Sequence, residues 1–253
     1  MRTNRMKALL REGKPALGCS IMIPSPQMVE MAAHAGFDWV LIDMEHGTIG
    51  IESAELMVMA AEASGVTPIV RPRSNASADI TSVMDRGAAG VQVPHINTAE
   101  DARRALSAVK FGPGDNRGLA AGTRPDRYGL AKAMPDFVRD ANAESLVCIQ
   151  LEHATAIDNV DALLAVDDID VYFIGPSDLS QSMGHPGNPK APPVKDAIDK
   201  TLARIVAAGK TPGFPATTDN LDQVIASGAR YIYTHLPKLL GAGASAFFKK
   251  AGR

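Results

Sequence analysis

The sequence predicts an α/β fold, a (β/α)8 TIM barrel, from three features of the chain. Eight short β-rich runs recur along it, several of them apolar throughout, such as WVLI at 39–42 and VYFI at 171–174. Parallel strands buried on both faces have this pattern. Longer segments with helical spacing alternate with the runs, and 253 residues suit one barrel domain, which we expect over 1–253. The predicted strands are 16–22, 38–43, 67–71, 90–94, 145–152, 171–175, 211–215 and 230–234.

A doubly wound open sheet is the alternative arrangement of alternating strands and helices. No G-x-G-x-x-G follows the first run, and G-x-x-x-x-G-K-[ST] occurs nowhere in the chain. The missing phosphate-binding motifs favour the barrel.

Helices between the strands are predicted from start signals and from apolar spacing. Ser25 before Pro26 indicates a capped helix start, and Thr98 with Asp101 has the spacing of a capping box. Three stretches carry apolar residues at helical spacing: Leu56, Met59 and Ala63; Ala99, Ala102, Leu106 and Val109; and Ile198, Leu202 and Ile205. Two stretches, 111–130 and 184–193, break the pattern and are predicted as loops. A loop as long as the first is usually functional or mobile.

Composition excludes several classes of protein. Hydrophobic residues make up 45% and charged residues 21%, which excludes a disordered chain, and the longest apolar run, 56–61, is too short to span a membrane. The net charge of −2 gives no electrostatic reason to expect a nucleic acid or membrane partner. Cys19 and Cys148 lie in apolar surroundings and are expected to be buried free thiols. With no apolar signal-peptide region near the start, we expect a cytoplasmic protein.

Polar and charged residues are concentrated where the predicted strands end, which is where barrel active sites lie. They occur in DMEHG at 43–47, RP at 71–72, QLEH at 150–153 and GPSD at 175–178. Buried there without partners, each neutral group would cost about 1–3 kcal/mol and each charge more. A metal ion, a substrate or one another should compensate them.

Glu152 and Asp178 are the candidate metal ligands, since two carboxylates at neighbouring strand ends offer the oxygen ligands of a hard divalent ion. The alternative is that each caps the following helix or pairs with an arginine. His46 is a candidate general base, or else a structural histidine bonded to Asp43 or Glu45. Arg71 either binds a substrate oxygen or pairs with an acidic group such as Glu152 or Asp178.

Other ionisable residues near the strand ends are interpreted as structural. His95, His153 and His235 lack paired helical spacing and are expected to pack or to support other groups rather than bind metal. No lysine lies in a predicted strand, and Lys238, just after the eighth, is the nearest candidate for a Schiff base. Metal-assisted enolisation is therefore favoured over imine chemistry.

Six blocks, in this order, resemble the HpcH/HpaI aldolase family: GFDWVLIDMEHG (36–47), PIVRP (68–72), MDRGAAGVQVP (84–94), GDNRG (114–118), IQLEH (149–153) and FIGPSDLSQSMG (173–184). These are class II pyruvate aldolases, related to 2-keto-3-deoxy sugar-acid aldolases and more distantly to citrate lyase β subunits. The resemblance covers nearly the whole chain. It implies a homo-oligomer, a hexamer built as a trimer of dimers, with the last helix packed on a neighbouring subunit.

The resemblance also implies roles for individual residues. Glu152 and Asp178 would bind Mg²⁺ or Mn²⁺, with Co²⁺ a further option. Arg71 would polarise the keto oxygen of the 2-oxo acid. By the same resemblance, Gln150 would support the site, and backbone N–H groups at Ser177 and Asp178 would hold the substrate carboxylate. His46 would be a base that acts through water. It would pair with an aspartate of the next subunit, and Asp85 stands at that aspartate's position.

Two places depart from the family pattern. THLPK at 234–238 replaces a Gly-Ser-Asp, and Met44 stands where many relatives carry a small residue. Both border the pocket, so they bear on the aldehyde acceptor. Arg117, Arg124 and Arg127 of the long loop either meet a distal substrate carboxylate or make subunit contacts.

The expected activity is reversible cleavage of a 4-hydroxy-2-oxo acid to pyruvate, or an analogue such as hydroxypyruvate, and an aldehyde. A lyase for CoA thioesters of the citrate lyase β type is the second hypothesis, which the short, slightly acidic chain disfavours. An inactive barrel used as a binding protein is the third, and the retained charged residues at the strand ends disfavour it.

Overall fold

Eight parallel strands form a closed barrel in the computed structural model, which describes residues 3–114 and 117–252. Each strand pairs with the next in sequence and β8 pairs with β1, which confirms the predicted architecture. The strands are β1 (Ala16–Ile21), β2 (Trp39–Asp43), β3 (Thr67–Arg71), β4 (Gly90–Val93), β5 (Leu146–Leu151), β6 (Val171–Ile174), β7 (Pro212–Pro215) and β8 (Tyr231–His235). Seven of them differ from the predicted runs by one residue at one or both ends. Organisation as one domain over 1–253 stays a prediction.

Helices surround the barrel, and both predicted start signals are confirmed. Ser25 caps α2 through its hydroxyl, and Thr98 and Asp101 form a complete capping box on α5. The helices are α1 (Arg5–Arg11), α2 (Pro26–His34), α3 (Ile51–Ser64), α4 (Ser77–Asp85), α5 (Ala99–Val109), α6 (Met134–Glu144), α7 (Ala154–Asp158), α8 (Val160–Leu164), α9 (Pro176–Ser182), α10 (Pro192–Ala207), α11 (Leu221–Ala226) and α12 (Leu236–Lys250).

The barrel interior is packed with aromatic rings. The indole of Trp39 lies 4.1 Å from the ring of Tyr231, centroid to centroid, and the Tyr233 ring stacks on Phe173 at 5.1 Å. A Cβ at Gly18 of β1 would lie 2.3 Å from the Trp39 ring, so only glycine leaves room for this indole. The rings fill the middle of the barrel and form the floor beneath its C-terminal mouth.

The buried face of α3 differs from the predicted one. The helix itself is confirmed, but Leu56 is 54% and Met59 is 45% exposed. Small residues let α3 approach the sheet and the neighbouring α2, so its buried face is Ala54, Met57, Val58 and Ala61. The large apolar residues that the sequence predicted to be buried, Leu56 and Met59, therefore lie on the outer surface of α3. On α10 the predicted residues Ile198, Leu202 and Ile205 are buried as expected.

No residue of the last helix, α12, is fully buried in the described chain, although Leu236 and Leu239 pack partly against the core. Leu240 is 74% and Phe247 is 71% exposed on its surface. Exposed apolar side chains grouped on one helix are typical of interaction surfaces. Separately, none of the described helices is long and apolar enough to cross a lipid bilayer.

Two of the three arginines of the long loop make contacts within the chain. Arg117 is 5% exposed, stacks 4.1 Å above the Phe111 ring and donates to the Val109 carbonyl, and Arg124 pairs with Glu62. Short 3₁₀ turns within Arg124–Gly129 interrupt this loop, and the backbone kinks through left-handed conformations at Arg127 and Tyr128. Positions 115 and 116 of the GDNRG block lie outside the described residues.

Candidate active site

Arg71 is fixed at the C-terminal mouth of the barrel by acidic residues of β2 and the loop that follows it. Its Nε and Nη2 donate to both oxygens of Asp43, at 3.0 and 2.5 Å, and its Nη1 lies 3.1 Å from Oε2 of Glu45. Arg71 therefore pairs with Asp43 and Glu45, and not with Glu152 or Asp178, the acidic partners that the sequence suggested. Asp43 is fully buried and also accepts the backbone N–H groups of Glu45 and His46. The loop after β2 is therefore folded around the same carboxylate that orients the guanidinium.

The charge state of this pair follows from its contacts. Burial alone would raise the pKa of Asp43, but the bonds from Arg71 and from the two backbone N–H groups outweigh burial and lower it. Burial likewise opposes the charge on Arg71, and Asp43 more than compensates, so the pKa of Arg71 is raised. Both groups are therefore ionised, and the charged guanidinium of Arg71 is held in a fixed position beside the balancing charge of Asp43.

Glu152 lies directly after β5, beside Glu45 and His95. His95 donates its backbone N–H to Oε1 of Glu152 at 2.8 Å, and its ring nitrogens lie 3.2 Å from Glu152 and 3.0 Å from Glu45. The imidazole is 59% exposed, so His95 does not pack in the core as one interpretation expected. Its φ of 55° is in the left-handed region, where non-glycine residues are uncommon. This conformation directs the N–H of His95 at the carboxylate.

A hydrogen-bonded row of buried side chains reaches Glu152 from inside the barrel. Gln150 donates to Oε2 of Glu152, and Gln92 donates to Oε1 of Gln150. Tyr231 donates its hydroxyl to Oε1 of Gln92 at 3.0 Å. These four side chains are 0–3% exposed. Gln150 therefore contacts Glu152 directly, and its role in supporting the site stays a prediction. Glu152 does not cap α7, whose cap is the side chain of His153.

The residues at the mouth suit a divalent cation. Glu45, His95 and Glu152 each offer one ligand atom, and these atoms lie within 4.8 Å of one another. Burial raises the pKa of Glu152, and the hydrogen bonds from Gln150 and His95 partly offset this rise. The nearby negative charge of Glu45 adds a smaller increase. Each carboxylate oxygen of Glu152 accepts one bond from the groups named here, which leaves lone pairs for an ion. The carboxylate oxygens of Glu45 and Glu152 are the kind of ligand that Mg²⁺ or Mn²⁺ prefers.

Asp178 and Ser177 lie in the first turn of α9, just beyond β6. A Cβ at Gly175 would lie 3.0 Å from Oε2 of Glu152, so the backbone leading into α9 passes directly beside that carboxylate. Asp178 makes no side-chain cap on α9 and is not a member of the Glu45, His95 and Glu152 cluster. Its role as the second metal ligand stays a prediction, as does the role of the Ser177 and Asp178 backbone.

His46 and Asp85 lie at different ends of their own barrel. The His46 side chain is 53% exposed at the mouth, 3.8 Å from Oε2 of Glu45. Asp85 ends α4, which returns to the opposite face, where β4 begins, and its carboxylate lies 3.4 Å from Arg117. This arrangement agrees with a contribution of Asp85 to a neighbouring subunit's site, which stays a prediction.

At the end of β8, His235 faces the Tyr233 ring edge-on at 5.3 Å. Burial, and then the positive charge of Arg71, lower its pKa, so the imidazole is neutral at neutral pH. No described strand contains a lysine, and Lys238 lies exposed in the first turn of α12. Among the described residues, the strands therefore place no lysine amine at the mouth of the barrel.

Known proteins resemble this chain over nearly its full length. The HpcH/HpaI aldolase/citrate lyase family matches residues 18–234. A 2-keto-3-deoxy-L-rhamnonate aldolase from Klebsiella pneumoniae is 36% identical over 94% of this chain and 89% of its own. A hydroxypyruvate/pyruvate aldolase from Sagittula stellata is also 36% identical, over 90% of each chain.

Among solved structures, an HpcH/HpaI aldolase/citrate lyase family protein from Burkholderia cenocepacia superposes with a TM-score of 0.92 at 30% identity, covering 99% of this chain and all of that one. The family match and the identities confirm the resemblance read from the six sequence blocks. The chain belongs to the HpcH/HpaI aldolase/citrate lyase family and is an aldolase, an enzyme that cleaves or forms a carbon–carbon bond.

Proposed function

We propose that this aldolase uses a divalent metal ion to cleave 4-hydroxy-2-oxo acids reversibly to an aldehyde and pyruvate, or an analogue such as hydroxypyruvate. The observation that carries the proposal is the guanidinium of Arg71, locked by Asp43 beside the carboxylate and imidazole groups of Glu45, His95 and Glu152. A fixed cation next to a metal-binding cluster stabilises the negative charge of an enolate.

In this proposal Glu152 and Asp178 hold Mg²⁺, Mn²⁺ or Co²⁺. The ion would draw electron density from the 2-oxo acid and so make its enolate accessible. Arg71 directs a guanidinium N–H at the keto oxygen. Gln150 holds Glu152 in place, and the backbone N–H groups of Ser177 and Asp178 bind the substrate carboxylate.

His46 is the proposed base. It accepts, through water, the proton of the C4 hydroxyl, the C3–C4 bond breaks, the aldehyde leaves, and the electron pair of that bond moves into the enolate. Returning a proton to C3 then gives the 2-oxo acid. The exposed imidazole suits a residue completed by another subunit.

The CoA-thioester alternative is disfavoured by the long loop. CoA carries phosphates that basic residues bind, but Arg117 and Arg124 are already engaged with Val109, Asp85 and Glu62. Recognition of a distal substrate carboxylate by these two arginines is disfavoured for the same reason. Exposed Arg127 remains the loop arginine available for either role.

We further propose a homo-oligomer, a hexamer built as a trimer of dimers, working in the cytoplasm. Large apolar side chains on α2, α3 and α12 are exposed in the single chain, including Met31, Leu56 and Phe247. Such patches mark protein interfaces. Both cysteines are buried free thiols, as expected in a reducing compartment.

The test of the function is a panel of donors and aldehydes assayed on chelator-treated enzyme with single ions restored. We expect chelation to abolish turnover, Mg²⁺, Mn²⁺ or Co²⁺ to restore it, and borohydride with pyruvate to trap no adduct. Full activity after exhaustive chelation, or a lysine adduct, would contradict the proposed chemistry. The panel also identifies the donor and the aldehyde.

Assembly across a subunit interface has its own test. We expect the Asp85→Ala and His46→Ala enzymes to be inactive alone. When the two are mixed, dissociated and reassembled, part of the activity should return, because some interfaces then combine an intact His46 with an intact Asp85 of the neighbouring subunit. Arg117→Lys is the control, since it alters the arginine that contacts Asp85 within the chain but leaves the Asp85 carboxylate itself in place. A fully active Asp85→Ala enzyme, or a fully active monomer, would exclude the shared site.

A further inference from the structure

We infer that Gln92 and Tyr231 are positioning residues that hold the carboxylate of Glu152 through a hydrogen-bonded row of fixed direction. The inference rests on the proposed metal site at Glu152. It adds two residues that lie deeper inside the barrel than Gln150. Neither residue reaches the mouth of the barrel, and both act through Gln150.

The direction of the row is set at its charged end. An ionised carboxylate only accepts hydrogen bonds, so Gln150 must present its amino group to Glu152. The oxygen of the Gln150 amide then faces Gln92, which must present its own amino group in turn. This leaves the Gln92 oxygen for a donor, and the hydroxyl of Tyr231 supplies it at 3.0 Å. Reversing any one amide would set two acceptors against each other.

The far end of the row is held rigidly. Tyr231 is fully buried, and its ring lies 4.1 Å from the Trp39 ring and 6.1 Å from Phe173, centroid to centroid. Burial of an unpaired polar group costs about 1–3 kcal/mol, so each member of the row keeps its partner. The aromatic floor of the barrel therefore fixes the hydroxyl, and the row transmits this position to Glu152. Outer partners of this kind typically tune metal affinity by about 10–100-fold.

The chain offers a matched control for Tyr231→Phe. Tyr172 is also fully buried, but it lies on the outer face of β6, and its hydroxyl lies 3.3 Å from the carbonyl oxygens of both Leu163 and Val166, which share its one hydrogen. Tyr172→Phe therefore also removes a buried tyrosine hydroxyl, but one that has no hydrogen-bonded connection to Glu152. Both variants should unfold at lower temperature, whereas only Tyr231→Phe should bind metal more weakly.

The experiment is calorimetric titration of the metal-free, full-length enzyme with Mn²⁺, with the thermal unfolding of each metal-free variant measured beside it. We expect Gln92→Met to raise the Kd for Mn²⁺ about tenfold and Tyr231→Phe to raise it about threefold or more. Gln92→Glu should weaken binding more than Gln92→Met, because it reverses the polarity of the row rather than only interrupting it. Tyr172→Phe should keep the wild-type Kd.

Three results would overturn the inference: folded Tyr231→Phe and Gln92→Met proteins with wild-type Kd, equal loss in Tyr172→Phe, or tighter binding in Gln92→Glu than in Gln92→Met. Wild-type enzyme and Glu152→Gln are titrated first. If the wild-type protein binds no Mn²⁺, or if Glu152→Gln binds it normally, the metal site itself is wrong. If those two behave as proposed and the variants in the row do not, only the positioning role is wrong.

Discussion

Arg71→Ala is expected to lower kcat by about 10²–10³ at saturating metal, the usual cost of losing one donor to a developing oxyanion. Enolisation moves negative charge onto the keto oxygen, so a guanidinium fixed beside it binds the transition state more strongly than the substrate. Asp43 holds two of the three guanidinium nitrogens and Glu45 lies 3.1 Å from the third, so the position of the whole guanidinium is fixed. Arg71→Lys keeps the charge but loses the planar fork, so it should also be badly impaired.

The measurements are kcat and KM at saturating metal, with proton–deuterium exchange at C3 of pyruvate as a direct measure of enolisation. Removing Arg71 leaves the buried charge of Asp43 unpaired, which typically costs about 3–5 kcal/mol of stability, so the lysine variant is the safer test of chemistry. Arg124→Lys is the control, because Arg124 also forms an ion pair but at Glu62. Near-wild-type exchange and kcat in either Arg71 variant would refute its catalytic role.

Glu152→Gln and Asp178→Asn are expected to abolish both Mn²⁺ binding and turnover, because each removes one of the two proposed carboxylate ligands. Glu45→Gln is the informative comparison, since Glu45 belongs to the observed cluster with His95 and Glu152. We expect Glu45→Gln to retain the ion and to lose activity through the altered contact with Arg71. Calorimetry of metal binding separates these outcomes from effects on turnover.

Two results would revise the ligand set. Unchanged Mn²⁺ affinity in Asp178→Asn, together with its loss in Glu45→Gln, would place the ion between Glu45, His95 and Glu152. Retention of the ion in Glu152→Gln would move it away from the end of β5. His153→Ala is the matched control, because His153 is adjacent in sequence but caps α7 outside the cluster.

The sequence predicts the barrel well because the signals are local. Runs such as WVLI and VYFI mark strands buried on both faces, and Thr98 with Asp101 marks a helix start whatever the rest of the chain does. The exposed apolar residues of α3 show where local sequence signals fail to predict which face of a helix is buried. Apolar size alone selects Leu56 and Met59, whereas close packing of α3 on its neighbours selects the smaller Ala54 and Ala61.

The candidate site is predictable only in part. Strand-end position identifies Arg71, Gln150 and Glu152, but the pairing of Arg71 with Asp43 depends on which strands are neighbours and on side-chain conformation. The sequence places His95 near a strand end but does not show its contacts with Glu152, because these come as much from a backbone N–H in a left-handed conformation as from the ring. Gln92 carries a signal that sequence reasoning can use, a polar residue inside the apolar strand GVQV.

The single tryptophan of the chain is an optical probe placed by the fold itself. Trp39 is fully buried, and its indole N–H donates to the carbonyl of Ala16 inside the barrel, so its fluorescence reports the barrel interior and not the outer helices. Its ring contacts Tyr231, the inner end of the row that reaches Glu152. The emission of one residue therefore follows the opening of the barrel during unfolding without any added label.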